Sequence, residues 1–524
     1  MQKIKIYDTT LRDGSQGEGI SFSVNDKLKI AKKLDSINVH YIEGGWPGSN
    51  PKDMEFFKEA KKIRFRNSEI VAFGSTRRAK TSPTKDENLK SLFKAGVKVA
   101  AIFGKTWDMH VKEVFRVPLQ ENLAMIQDTV EYLKSKKMHV FYDAEHFFDG
   151  YKHNKEYALE TLRAAVKGGC DTIVLCDTNG GMITNELGVI ARAIVSEFGG
   201  PTPIGIHTHN DSGMAVANTI AAVESGCRIA QGTINGYGER CGNADLCVII
   251  PNLQLKMGYN CLPESKLKEL TEISHYVSEI SNMKQQDNQP FVGRSAFAHK
   301  GGVHINAVMK NPETYEHVKP EAIGNHRRIL VSELSGKTSI ILKAKEMELD
   351  LSKNDPKTRK ILKLVQNLEN QGYYFEAADA SFELLMKKIL KKHRPFFVLE
   401  GFKVTIEKRE DNTLISEATI KVSVNGKEEH TAAEGDGPVN ALDNALRKAL
   451  NKFYPTLAKM HLSDFKVRVL EEKAGTAANV RVLIQSQDEK SSWGTVGVSE
   501  NIIEASWQAL ADSVEYKLLK DKIK

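Results

Sequence analysis

The sequence predicts an α/β protein in which a (β/α)8 barrel is followed by a helical linker subdomain and a C-terminal duplicated α+β domain. Three observations carry that expectation. Over the first half of the chain, eight short apolar runs alternate with longer stretches of helical spacing. They lie about 30 to 40 residues apart, the length of one βα unit, and eight units need about 250 residues. Beyond residue 396 the spacing changes to strand-like alternation, and this last block repeats itself.

The eight runs are IKIYD (4–8), VHYIEGG (39–45), IVAFG (70–74), VKVAAIFG (97–104), HVFYDA (139–144), DTIVLCD (171–177), IGIHTH (204–209) and RIAQGTING (228–236). A doubly wound open sheet is the alternative to a closed TIM barrel. Polar residues decide between them: Asp8 and Asp13, Glu43, Glu145, Asp177, His207 and His209, and Asn235 fall at or just past the C-terminal ends of the runs. A parallel barrel gathers its active site there from many strands, whereas loop capping accounts for only one or two such residues. The barrel is assigned to residues 1–275.

Residues 276–395 are expected to form the linker. The stretch 350–379 has the apolar spacing of helices, and FVGRSAFAHKGGVHINAVMKNPETYE is Gly-rich and carries His299, His304 and Tyr315, as loops that cover sites often do. In residues 396–524, FKVTIEK, EATIKVSVNGKEEH, FKVRVLEE, VRVLIQSQDEK and WGTVGVS read as strands, with Asn425-Gly426 suited to a type I′ hairpin. Helices follow Pro438 and Asn501. At an offset of 64 residues, Val439, Ala441, Ala445 and Leu446 meet Ile503, Ala505, Ala509 and Leu510. A duplicated unit without a His/Asp/Glu cluster suits pairing and small-ligand binding better than chemistry.

Composition excludes several classes. With 74 basic and 67 acidic residues in 524, the net charge of +7 is small, and nucleic-acid binding is not favoured. The basic stretch MKKILKKHRP (386–395) is read as a solvated helix face, with a phosphate-bearing ligand as the minority reading. Six cysteines without a CxxC pair suggest neither a disulfide framework nor a zinc knuckle. No apolar run reaches the length of a signal peptide or a membrane span, so a cytoplasmic protein is expected.

His207 and His209, at i and i+2 of a strand, share one face and can lean towards a single ion, while Ile204 and Ile206 point the other way. Asp13 adds a carboxylate oxygen and Asn243 of GYGERCGNADL an amide oxygen. This donor set leaves open positions on Zn²⁺, Mn²⁺ or Mg²⁺; a polar cluster without an ion is the competing reading. An open divalent site suits a substrate with adjacent oxygens, such as the ketone and carboxylate of a 2-oxo acid, whose carbonyl it polarises. Arg12 adds a fixed donor for a developing oxyanion, an effect of about 3 kcal/mol. Such a site adds carbon to a carbonyl, or does the reverse.

Two stretches then become specific. LRDGSQGEGISFSVNDK (11–27) and IGIHTHNDSGMAVA (204–217) resemble the two signatures of the 2-isopropylmalate, homocitrate and citramalate synthase family, and the resemblance runs over the whole chain. YIEGGWPGSNPKD and FYDAEHFFDGYK resemble its citramalate branch. The resemblance implies condensation of acetyl-CoA with pyruvate and thioester hydrolysis, giving (R)-citramalate and CoA for isoleucine synthesis. It makes Asp13, His207 and His209 metal ligands, with Asn243 a direct or water-mediated contact. It makes Arg12, Gln16 and Thr178 substrate contacts. Glu145 would orient acetyl-CoA and a water, and His304 and Tyr315 would do acid/base work, the roles among these three remaining open. His299 competes with His304. The C-terminal block would be the regulatory dimerisation domain of a homodimer, its AEGDGPVNAL and TVGVSENIIEAS segments holding isoleucine as effector.

Two residues depart from the pattern: Ser15 where many relatives have Glu, and Asp143 where some citramalate synthases have an aromatic residue. The rival enzyme class is the carbon–carbon lyase of the same barrel group, which Cys241 resembles although Gly242 replaces the usual proline; Cys241 is read as structural. NGYGERCG is no dinucleotide fingerprint, since Cys241 sits where the third glycine belongs. A non-catalytic amino-acid sensor predicts damaged metal positions, and these are intact.

Overall fold

All eight apolar runs become strands of one closed parallel barrel in the computed structural model, which describes residues 2–200, 202–331, 337–352, 355–470 and 478–522. The strands are β1 (Lys5–Asp8), β2 (Tyr41–Gly45), β3 (Glu69–Ser75), β4 (Val99–Lys105), β5 (His139–Glu145), β6 (Thr172–Asp177), β7 (Ile204–Thr208) and β8 (Ile229–Gly232). Pairing runs in sequence order and β8 closes on β1. Strand alternation builds two cores. Tyr7, Phe73, Phe141, Val174 and Ile229 fill the barrel, while Ile4, Ile6, Ile204 and Ile206 face the surrounding helices. Local signals start those helices: Ser23 and Asp26 form a reciprocal capping box on Val24–Ser36.

One boundary differs. The eighth run was expected to extend to residue 236, but β8 stops at Gly232 because the returning segment takes over its bonds: Thr233 N–H donates to Ala244 O at 3.1 Å. Asn235 then adopts a left-handed conformation (φ 64°) that turns the chain away.

The chain divides into two compact units, Met1–Phe297 with His317–Arg327, and Ala298–Glu316 with Arg328–Lys524. In the second unit, β9 (Ala298–His299) pairs with β10 (Arg328–Ile329). The Gly-rich stretch expected as a loop contains a helix, Gly302–Lys310, in which Ile305 and Val308 are buried. The glycines end at its first turn, and the remaining VHINAVMK is free of helix breakers. Helices Lys337–Glu346, Pro356–Asn370 and Asp379–Ile389 pack around Ile340, Ile361, Val365 and Phe382.

The duplication is visible in the fold. Strands β11 (Val398–Lys408), β12 (Leu414–Val424) and β13 (Lys427–Gly435) precede helix Pro438–Leu450; β14 (His461–Val469), β15 (Val480–Gln487) and β16 (Ser492–Ser499) precede helix Ile502–Lys522. The last two residues of the expected strand FKVRVLEE, 471 and 472, and residues 353 and 354 of the expected helical stretch lie outside the described residues. Thr431 Oγ1 donates to Ala445 O at 2.9 Å, and Thr495 Oγ1, 64 residues on, donates to Ala509 O at 2.8 Å. Asn425 (φ 51°) and Gly426 (φ 80°) form the two-residue turn between β12 and β13. Among the described residues no helix is long and apolar enough to cross a membrane.

The basic stretch 386–395 is less solvated than its composition suggests. Lys387 is buried, bonded to Glu383 at 2.6 Å, and His393 Nε2 lies 3.0 Å from Glu515 Oε2. Burial pushes the Glu515 carboxyl up to about 7 from its ordinary 4.5. The stability it contributes is therefore fully present below about pH 4.5 and lost as pH rises through 7. Glu515→Gln removes this dependence: its stability relative to wild type should rise by about 3 kcal/mol between pH 4.5 and 8 in urea titrations. A pH-independent difference would show that Glu515 keeps its ordinary value.

Candidate active site

The turn after β1 is built by backbone bonds from Arg12 N and Gly14 N to Thr9 O, and Ser15 Oγ closes it on Arg12 O at 2.6 Å. This turn aims Arg12, Asp13 and Gln16 across the barrel mouth. Arg12 Nε donates to Glu43 Oε1 at 2.6 Å, Nη1 lies 3.3 Å from Asp13 Oδ2, and the guanidinium carbon sits 3.9 Å above the centre of the Phe73 ring. Glu43, wholly buried, takes a second bond from the Tyr7 hydroxyl at 2.5 Å. Arg12 is thereby clamped on three sides.

Asp13, His207 and His209 converge, their donor atoms all within 4.8 Å of one another. The two Nε2 atoms are 3.2 Å apart, and they lie 3.3 and 3.9 Å from Asp13 Oδ2. His207 Nδ1 is bonded to Gln231 Oε1 at 2.9 Å, which turns its Nε2 towards the cluster. Burial opposes ionisation of Asp13, yet Arg12, His207 and His209 hold its carboxyl well below the usual carboxylate range. Burial and the neighbouring His207 push His209 down to about 3. Asn243 pairs with His209 through a single backbone bridge; its amide nitrogen donates to Tyr237 O at 3.2 Å, leaving a buried Oδ1 with no hydrogen-bond partner. Two imidazoles, a carboxylate and an orphaned amide oxygen fit a divalent ion.

These groups open into a cavity of about 230 Å³ lined, among others, by Arg12, Gln16, Trp46, Glu145, Thr178 and Arg240. Thr178 Oγ1 accepts the His146 backbone N–H at 2.8 Å, leaving its own hydrogen free to point elsewhere. Glu145 ends β5 directly beside Lys105, the last residue of β4, and the two side chains form an ion pair. Thr106 N–H donates to Glu145 O at 3.2 Å, so the two strand ends are strapped together. Burial and the Glu43 carboxylate push Asp143 up to about 7, and its Oδ1 has no hydrogen-bond partner.

The sequence-derived candidates are distributed over the two units. Arg12, Asp13, Gln16, Glu145, Thr178, His207 and His209 line one cavity; Asn243 lines another, and meets His209 through the backbone bridge. His304 and Tyr315 belong to the second unit, where both are exposed and their rings stack with centroids 4.3 Å apart. His299 is buried and bonded to Glu316 at 3.1 Å. Asp8 and Asp177 cap loops, accepting from Thr10 and Met182, and Asn235 bonds Ser274. Cys241 is exposed and lines a cavity together with Gly236 and Asn243. Lys105, Gln231, Trp46 and Arg240 join the site without a motif in the sequence to mark them. Gln231, a lone amide inside an apolar strand, was the one legible signal; the others emerge only from strand register and loop return.

Residues 3–277 match the HMGL-like family, 291–372 the homocitrate synthase post-HMGL domain-like family, and 376–518 the LeuA allosteric (dimerisation) domain. The chain is 58% identical to an (R)-citramalate synthase of Geobacter sulfurreducens, covering 100% of this chain and 99% of that one. It is 55% identical to an (R)-citramalate synthase of Aquifex aeolicus, covering 99% of each. A 2-isopropylmalate synthase of Methanocaldococcus jannaschii is more distant, at 31% identity over 99% of this chain and 95% of that one. With its metal-type cluster at the mouth of an HMGL-like barrel and end-to-end similarity of this order, the chain belongs to the acetyl-CoA-dependent 2-oxo acid condensing enzymes, in the (R)-citramalate synthase group.

Proposed function

We propose that the chain condenses acetyl-CoA with pyruvate and hydrolyses the resulting thioester, giving (R)-citramalate and CoA. The observation that carries this reading is the convergence of Asp13, His207 and His209 beside a clamped Arg12 in one small cavity. The names of the relatives support pyruvate as the 2-oxo acid.

Asp13, His207, His209 and Asn243 would hold a divalent ion, Mn²⁺, Zn²⁺ or Mg²⁺. When bound it polarises the ketone of the 2-oxo acid. Arg12 donates to the oxygen on which charge develops as the new carbon–carbon bond forms; fixed by Glu43, Asp13 and Phe73, it needs no reorganisation at that moment. Gln16 and the free Thr178 hydrogen bind the substrate carboxylate. Glu145 orients the acetyl group and the water that later cleaves the thioester. His304 and Tyr315 exchange the protons that enolisation of the acetyl methyl and protonation of the product require. The C-terminal repeats pair two chains into a homodimer and take isoleucine as feedback effector. The barrel, linker and regulatory domain divide at about residues 275 and 395.

The test is thiol release from acetyl-CoA against a panel of 2-oxo acids, with and without isoleucine. Release should be fastest with pyruvate and slowed by isoleucine. No release with any 2-oxo acid would overturn the reading.

Lys105 enters as a positioning residue. Lys105→Met should lower kcat by about 10 to 100-fold, because Glu145 loses the partner that fixes its carboxylate, while the KM for the 2-oxo acid changes little. Lys105→Arg should recover most of the loss. An unchanged kcat in the methionine variant would remove Lys105 from the site.

A further inference from the structure

Lys27 completes the first signature stretch, 11–27, yet nothing in the chemistry above uses it. Its ammonium is almost wholly buried, 2.5 Å from Asp53 Oδ1 and 3.1 Å from Gly44 O. Asp53 turns its other oxygen to the Trp46 backbone N–H at 2.9 Å. The loop between has no slack. A Cβ at Gly44 would strike the Phe56 ring, and one at Gly45, whose φ is 144°, would lie 2.5 Å from the Asp53 carboxyl carbon. The Trp46 indole Nε1 then donates to Asn88 Oδ1 at 2.7 Å. A buried ion pair, two obligatory glycines and an amide all serve to hold one tryptophan ring. A buried pair of this kind is weak evidence for stability, so its purpose is sought in what it positions.

Trp46 stands edge-on to Phe73 and to Phe103, with ring centres 5.8 and 5.6 Å away, on the wall of the catalytic cavity. This wall comes from the ends of β2, β3 and β4. Of the oxygen-binding groups, Thr178 after β6 and His207 and His209 at β7 come from the other side of the ring of strands, and Asp13 and Gln16 come from β1, next to β2. A 2-oxo acid that places its two adjacent oxygens among those groups turns its carbon tail towards the aromatic wall. Phe73 lies beneath Arg12, and Phe103 lies 5.5 Å from the Lys105 ammonium, so neither can change without moving a charged group of the site. Trp46 carries no such burden.

We propose that Trp46, held by the buried Lys27–Asp53 pair, is the specificity-determining wall that limits the 2-oxo acid to a one-carbon tail. This rests on the reading of the site as a 2-oxo acid condensing centre. The signature lysine is then a positioning residue, acting on the substrate through Asp53 and Trp46.

The experiment compares kcat/KM for pyruvate, 2-oxobutanoate and 3-methyl-2-oxobutanoate by thiol release in wild type, Trp46→Ala, Trp46→Phe and Asp53→Asn. Trp46→Ala should raise the ratio of the longer acids to pyruvate by about tenfold or more, a range typical of one to two methylenes in an apolar pocket, with the KM for acetyl-CoA unchanged. Trp46→Phe should fall between, and Asp53→Asn should shift the ratio in the same direction as Trp46→Ala. A wild type selective for pyruvate whose folded Trp46 variants keep its ratios overturns this inference alone. A wild type releasing no thiol with any 2-oxo acid overturns the underlying reading as well.

Discussion

Alanine in place of His209 is expected to lower thiol release by about three orders of magnitude while leaving the barrel folded, which corresponds to about 4 kcal/mol of lost charge stabilisation. The selectivity follows from the bonds His209 makes. Its backbone N–H donates to Asp177 O at 3.2 Å, a bond that survives the substitution, whereas its ring Nδ1 has no hydrogen-bond partner and its Nε2 points at His207 and Asp13. The ring serves the cluster more than the core. Metal content, circular dichroism and turnover measured on one preparation check this: the variant should melt near wild type and retain less ion. Exhaustive chelation of the wild type should reproduce the loss, and added Mn²⁺, Zn²⁺ or Mg²⁺ should restore activity to wild type but not to the variant. Full activity of the variant after chelation would contradict the site.

Arg12→Gln is expected to cost about 10²- to 10³-fold in kcat, the loss typical of a single fixed oxyanion donor. Lysine should not rescue it. Arg12 uses a planar fork, with Nε on Glu43, Nη1 beside Asp13 and its flat face on Phe73, and an ammonium offers neither the plane nor the second nitrogen. Removing the guanidinium also strands the wholly buried Glu43 carboxylate, so Arg12→Gln should lower stability by about 3 to 5 kcal/mol. The double variant Arg12→Gln/Glu43→Gln separates the two effects: stability should return while kcat stays low. Recovery of both would mean that Arg12 acts only by neutralising Glu43.

Much of this site was legible in the chain. Eight apolar runs point to a closed barrel rather than a doubly wound sheet because polar residues end nearly every one of them, and a barrel mouth gathers its site from many strands. The period-two spacing of His207 and His209 placed both rings on one face, and the 64-residue offset foretold the repeated strand-plus-helix unit; the matched Thr431 and Thr495 bonds appear only in the structure. Helix content within 302–310 was hidden by its flanking glycines, and the extent of β8 by a left-handed Asn235.

What the sequence determined by itself was the periodic part: which residues are strands, which face each side chain takes, and which donors share a barrel mouth. Tertiary structure alone decided the partners. Lys105 meets Glu145 through the register of β4 on β5, Arg12 meets Glu43 across two strands, and Lys27 reaches Asp53 to hold Trp46. Periodicity is a local property that each stretch carries alone, whereas an ion pair between residues 26 to 40 positions apart exists only after the chain has closed and excluded water around it.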